Sequence, residues 1–114
     1  MGYYANQYDA DFEIGRDDVD RACALLDIEP GLDGLCREIE ELGFEVCPDG
    51  KGGIGGVCFN GEKYRDCLED TLSKLAPVVR DGSRIDFIGE DLSIWRLAFS
   101  GGVMEEKSRT ITFD

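Results

Sequence analysis

The chain has 114 residues, 42% of them hydrophobic, with six Phe, four Tyr and one Trp, the size and composition of one compact folded domain spanning 1–114 rather than of a disordered tract. Twenty-five acidic residues against twelve basic ones leave a net charge of −13, which disfavours direct contact with nucleic acid or anionic lipid and favours a basic protein partner. Histidine is absent, which removes the commonest general base and the histidine-activated nucleophile. In chain order, Tyr8, Ala10, Phe12 and Ile14 alternate with Asp9, Asp11 and Glu13, the period of a half-buried strand with its carboxylates outward. Gly15 and Asp17 interrupt it, and residues 17–26 place Val19, Ala22, Cys23 and Leu26 on one helical face with acids at the N-terminal end. A second helix is predicted after Pro30, with Leu32, Leu35, Cys36, Ile39 and Leu42 at helical spacing and Gly43 as its left-handed stop.

Residues 44–47 and 54–59 then read as two short strands of a hairpin, joined by a glycine-rich connection expected to be flexible. From Glu62, the positions Tyr64, Cys67, Leu68, Thr71, Leu72, Leu75 and Ala76 repeat at three and four, predicting another helix until Pro77 and Asp81-Gly82. Residues 84–88, 93–99 and 103–113 are β-rich runs separated by Gly-Glu-Asp and Gly-Gly, a three-strand meander. The expected class is therefore α+β: a two-layer antiparallel sheet with helices packed on one face. Its first six elements suggest a ferredoxin-like β-α-β-β-α-β variant, with a C-terminal β-hairpin extension.

Five cysteines without a C-x-x-C pair, in a chain lacking histidine, argue against a structural zinc site, and their odd number argues against a secreted disulfide framework. Reduced, mostly buried thiols are expected. Neither a secretory leader nor a membrane-spanning run is found, so a cytoplasmic protein is expected. Residues 51–56, KGGIGG, lack the G-K-[ST] of a phosphate-binding loop, and no cofactor is expected. Residues 9–20 place carboxylates as a calcium loop does at its first, third, fifth and twelfth positions, but Ile14 stands where that loop needs glycine, and Asp20 where it needs a bidentate Glu. The strand reading prevails, leaving Asp9, Asp11 and Glu13 as the carboxylates a divalent cation would use.

Near the C-terminus, strand parity turns Trp95, Leu97 and Phe99 toward the core and Arg96 away from it. Gly89, Glu90 and Asp91 are read as a turn that needs no ligand, and the functional alternative is that Glu90, Asp91 and Arg96 form a polar cluster at one sheet end. The opening MGYY and the closing IGEDLSIWRLAFSGGVMEE resemble a loose group of small uncharacterised bacterial and phage proteins, which begin Met-Gly-Tyr-Tyr and end in a Gly-Glu, Trp-Arg, Gly-turn hairpin. That resemblance covers about a third of the chain. It implies no established activity, only a bacterial accessory or mobile-element setting.

The acids are unevenly placed: residues 1–50 hold 14 acidic and 3 basic side chains, a balance of −11, while residues 51–114 balance at −2. Asp17, Asp18, Asp20 and Asp27 are expected on the first helix, and Glu38, Glu41 and Glu45 along the outer face of the second. Together they would imitate a row of phosphates. The favoured expectation is a non-enzymatic acidic interaction module, a phage or mobile-element inhibitor that occupies the basic nucleic-acid-binding surface of a partner, acting as monomer or homodimer. The alternative is a small carboxylate-based enzyme or a ligand- or divalent-cation-binding domain using Asp9, Asp11, Glu13, Glu90 or Asp91 with Arg96.

Overall fold

The structure is a computed structural model that describes residues 3–59, 62–64, 66–89 and 93–110. It is α+β, with antiparallel strand pairing throughout the described sheets. Strand β1 (Tyr3–Asp11) is followed by a 3-10 turn at Arg16–Asp18, helix α1 (Val19–Leu25) and helix α2 (Leu32–Glu40). Strands β2 (Phe44–Pro48), β3 (Ile54–Phe59) and β4 (Glu62–Tyr64) precede helix α3 (Asp66–Leu75) and a 3-10 turn at Ala76–Val78. Strands β5 (Arg84–Gly89), β6 (Ser93–Ser100) and β7 (Val103–Thr110) complete the order.

Five strands form one sheet in the order β4-β1-β5-β6-β7, and β2 and β3 form a two-stranded sheet of their own. The meander and the 44–59 hairpin are therefore where the sequence puts them. The finer ferredoxin-like order is not shown: β2 and β3 form their own sheet, with β3 meeting the chain just past β1 through the Ile14–Ile54 bridge, while the first residues of β1 pair with β4, Tyr3 with Tyr64 and Ala5 with Glu62. This also corrects the expected helix from Glu62, since residues 62–64 are strand and the helix begins at Asp66. Strand β1 starts earlier than its apolar alternation suggests because its register shifts between Gln7 and Asp9. Such a bulge resets which residues face the core, so the period-two pattern is legible only beyond it. The last strand is described to Thr110; its expected continuation to Phe113 lies outside the described residues.

The two-stranded sheet is attached to the larger one by a reciprocal backbone bridge, Ile14 N–H to Ile54 O at 3.0 Å and Ile54 N–H to Ile14 O at 2.8 Å. The Phe59 N–H also donates to Gln7 Oε1 at 3.1 Å. Packing adds an aromatic chain: Phe44 meets Phe59 edge-on at 5.1 Å, Phe59 meets Phe87 at 5.4 Å, and Phe87 stacks on Trp95 at 5.5 Å. Each such pair contributes about 0.5–1.5 kcal/mol beyond the area it buries. The helices bury Ala22 and Cys23 from α1, Leu35 and Ile39 from α2, and Leu68, Leu72 and Leu75 from α3 in the same cluster as Ile85, Phe87, Leu97 and Phe99. Among the described residues no helix is long and apolar enough to cross a membrane.

Candidate functional site

The charged side chains fall into two sets with different fates. The first is a lattice on the sheet face opposite Phe87 and Trp95. Strand pairing sets Asp9 of β1 against Asp86 of β5, and Asp86 against Arg96 of β6. Two carboxylates directly opposite one another are destabilising unless countered, and arginines counter them here. Arg96 grips Asp86 with both Nε (2.6 Å) and Nη2 (3.0 Å), while Arg84 gives Nη1 to Asp86 (2.8 Å) and Nη2 to Asp9 (2.7 Å). Farther along β1, Arg80 holds Asp11 at 2.7 Å and Glu13 at 2.9 Å.

Asp86 is buried although charged, its side chain only 8% exposed, because both guanidinium groups lie over it. The hydrogen bond from Arg84 holds the Asp9 carboxyl below its ordinary value, helped by the Ala10 N–H, and the Asp9 carboxylate in turn raises Arg84. Arg96 is raised by its hydrogen bonds and charge contact with Asp86.

The predicted polar cluster is thus changed in membership. Arg96 is exposed and points away from the core, as strand parity requires, but its described partner is Asp86, part of a lattice with Arg84 and Asp9. Glu90 and Asp91 lie outside the described residues. One contact of the lattice had a signal in the sequence, Arg84 and Asp86 standing two apart on a strand and sharing a face; the pairing of Asp86 with Arg96 had none. Asp9, Asp11 and Glu13, the residues of the divalent-cation alternative, are bound by arginine instead. Among the described residues no group of three or more Cys, Asp or Glu is arranged to hold a metal ion.

The second set comprises the seven acids assigned to a partner surface, and the structure corrects their placement. Asp17 and Asp18 lie in the 3-10 turn rather than in a helix; Asp20 is on α1; Asp27 follows α1 with a φ of 58°. Glu38 is on α2, Glu41 caps its C-terminal end, and Glu45 belongs to β2. The helix stops at Glu40 because Gly43 turns the chain with a φ of 107°, its N–H donating to Glu40 O at 3.0 Å. No single helix face therefore carries Glu38, Glu41 and Glu45. Glu38 and Glu41 remain together beside Cys67 and Thr71 at the rim of a depression of about 420 Å³. Asp18 lines a different one, with Glu13, Asp49, Lys51 and Arg80.

None of these seven carboxylates forms an ion pair among the described residues, in contrast with Asp9, Asp11, Glu13 and Asp86. Asp17, Asp20, Asp27, Glu41 and Glu45 are exposed, and Asp18 and Glu38 half-buried.

The glycine-rich connection is held, not loose. Asp49 Oδ1 accepts from the N–H groups of Lys51 (2.7 Å) and Gly53 (3.0 Å), which keeps its carboxyl below the usual range. Gly53 approaches the 14–16 segment so closely that a Cβ there would stand 2.5 Å from Ile14 O. The cysteines also depart from expectation: all five are free, but only Cys23 is buried, with Cys36 and Cys58 half-buried and Cys47 and Cys67 exposed. Burial pushes the Cys36 thiol up, and Glu40 and Asp33 add to it.

No protein-family model, no curated protein and no solved structure matches this chain.

Proposed function

We propose that the chain is a non-enzymatic acidic interaction module, one domain whose 17–45 surface docks on a basic protein surface such as the groove of a nucleic-acid-binding enzyme. The observation that supports it is the division of the charges. Arg80, Arg84 and Arg96 are engaged by Asp9, Asp11, Glu13 and Asp86, and so do not neutralise Asp17, Asp18, Asp20, Asp27, Glu38, Glu41 and Glu45. Uncompensated carboxylates on ordered backbone project a negative potential that steers a cationic partner. The two-layer reading fits the same division: the lattice face of β5 and β6 is charged, while their other face shares its buried cluster with the helices.

The test is capture of a partner at low and high salt by the wild-type chain and by two charge-neutralised variants, Asp17→Asn/Asp18→Asn/Asp20→Asn and Glu38→Gln/Glu41→Gln/Glu45→Gln. Screening at about 8 Å under physiological salt means that a contact made by exposed charges weakens steeply as salt rises. The expected result is a basic partner lost at high salt, weakened by at least one of the two variants and displaced by added nucleic acid. Capture that is indifferent to salt and to both variants would refute the proposal.

A further inference from the structure

The β2–β3 hairpin turns Phe44, Val57 and Phe59 into the core, with Val46 packed against it, so parity places Glu45 and Cys47 of β2 and Gly56 and Cys58 of β3 on its opposite face. Register pairs Glu45 with Cys58 and Cys47 with Gly56, which makes Cys47 and Cys58 diagonal neighbours. Cys47 is exposed and Cys58 half-buried, so both thiols are within reach of solutes. Gly56 matters as much as the thiols, because it leaves the place directly across from Cys47 without a side chain. A Cβ there would touch Cys47 Cβ at an ordinary 3.8 Å.

We infer that Cys47 and Cys58 form a two-thiolate site for a soft, two-coordinate metal ion of the cuprous kind. Diagonal neighbours on a sheet face stand roughly 7–8 Å apart, somewhat less between Cβ atoms. A direct disulfide tolerates Cα separations only up to about 7 Å without backbone movement, whereas an inserted ion adds two metal–sulfur bonds of about 2.3 Å each, taking the zinc–thiolate length as a guide. The spacing thus suits a bridging ion better than a sulfur–sulfur bond. Thiolate ligands select cuprous ion and zinc over harder cations, and an ion content with two ligands fits a face that offers two thiols. The step is Cu⁺ plus two thiols giving a bis-thiolate complex and two released protons, with no change of copper oxidation state. Glu45, opposite Cys58, adds negative charge beside the ion.

The experiment is titration of the full chain with cuprous ion under ascorbate, in competition with a coloured cuprous chelator. One equivalent should be withdrawn from the chelator by the wild type, and by Cys36→Ser and Cys67→Ser, but not by Cys47→Ser or Cys58→Ser. Gly56→Val keeps both thiols and fills the gap between them, and it is expected to weaken binding about tenfold or more, as changes beside metal ligands do. Circular dichroism on each variant separates loss of the site from loss of the fold. One-to-one binding that survives Cys47→Ser or Cys58→Ser in a folded chain, or that vanishes with Cys67→Ser, would overturn the assignment.

Discussion

Asp86 shows how far one side chain's setting decides its value. It lies on a central strand, 6% exposed, and accepts three hydrogen bonds from Arg84 and Arg96. Asp86→Ala leaves two guanidinium groups beside each other and beside Asp9 without the carboxylate that joins them. Because both arginines are partly exposed they recover water, so the cost should be that of charge-assisted hydrogen bonds, about 2 kcal/mol, rather than that of a fully buried ion. Urea denaturation should show it as a lower midpoint with unchanged slope. Asp9 and Asp49 supply a pH dependence. Both carboxyls are held below the ordinary 3.8 in the folded chain. A group whose folded pKa is depressed contributes stability above its unfolded pKa and loses it as pH falls through the folded one. Stability should therefore decline below the ordinary carboxylate range, and Asp9→Asn with Asp49→Ala should make that acid limb shallower in thermal melts at stepped pH. Parity alone foretold that Arg96 points outward; it named no partner, because pairing register is set across strands that one sequence does not align.

Among the elements, the hairpin connection carries the sharpest contrast. Gly53→Ala would place a methyl group 2.5 Å from Ile14 O and 2.8 Å from Arg16 N, both backbone atoms that cannot swing aside. Gly15→Ala meets nothing within 4 Å. Overpacking of this kind costs about 1–3 kcal/mol, so Gly53→Ala should lower the denaturation midpoint clearly and Gly15→Ala hardly at all. The same connection shows where legibility ended. Its glycines look like freedom when read singly, and only the tertiary approach of residues 14–16 turns them into a fit. The hairpin itself was legible from alternation, and the end of α2 from Gly43. The strand at 62–64 was not, because three residues carry no period of their own and Tyr64 falls by chance in step with the helix that follows.

At the scale of the whole molecule, the net charge of −13 sets a repulsion that the fold relieves in one half only. Neutralising acids that arginine holds should destabilise the chain, whereas neutralising Asp17, Asp20 or Glu41 should leave it unchanged or raise its melting temperature, since repulsion is relieved and no described ion pair is lost. Moderate salt should stabilise the wild type for the same reason and stabilise the neutralised variants less. Thermal melts of Asp11→Asn against Asp20→Asn across salt concentrations would show the opposite signs. The excess of acid was legible in composition, but its division was not: Arg80 stands about seventy residues from Asp11, and Arg84 as far from Asp9, the first-half acids they bind.

The reciprocal bridge between Ile14 and Ile54 gives the two sheets a shared reporter. The Ile54 amide proton belongs to the small sheet and that of Ile14 to the segment that continues β1, and each is protected by the carbonyl of the other residue, so neither can exchange with solvent while the small sheet stays docked. Deuterium uptake at the two positions should then follow one rate and one denaturant dependence, slower than at chain ends and faster than in the centre of β5, and Asp49→Ala should speed both together. Such a matched pair would make undocking of the small sheet a motion that can be timed.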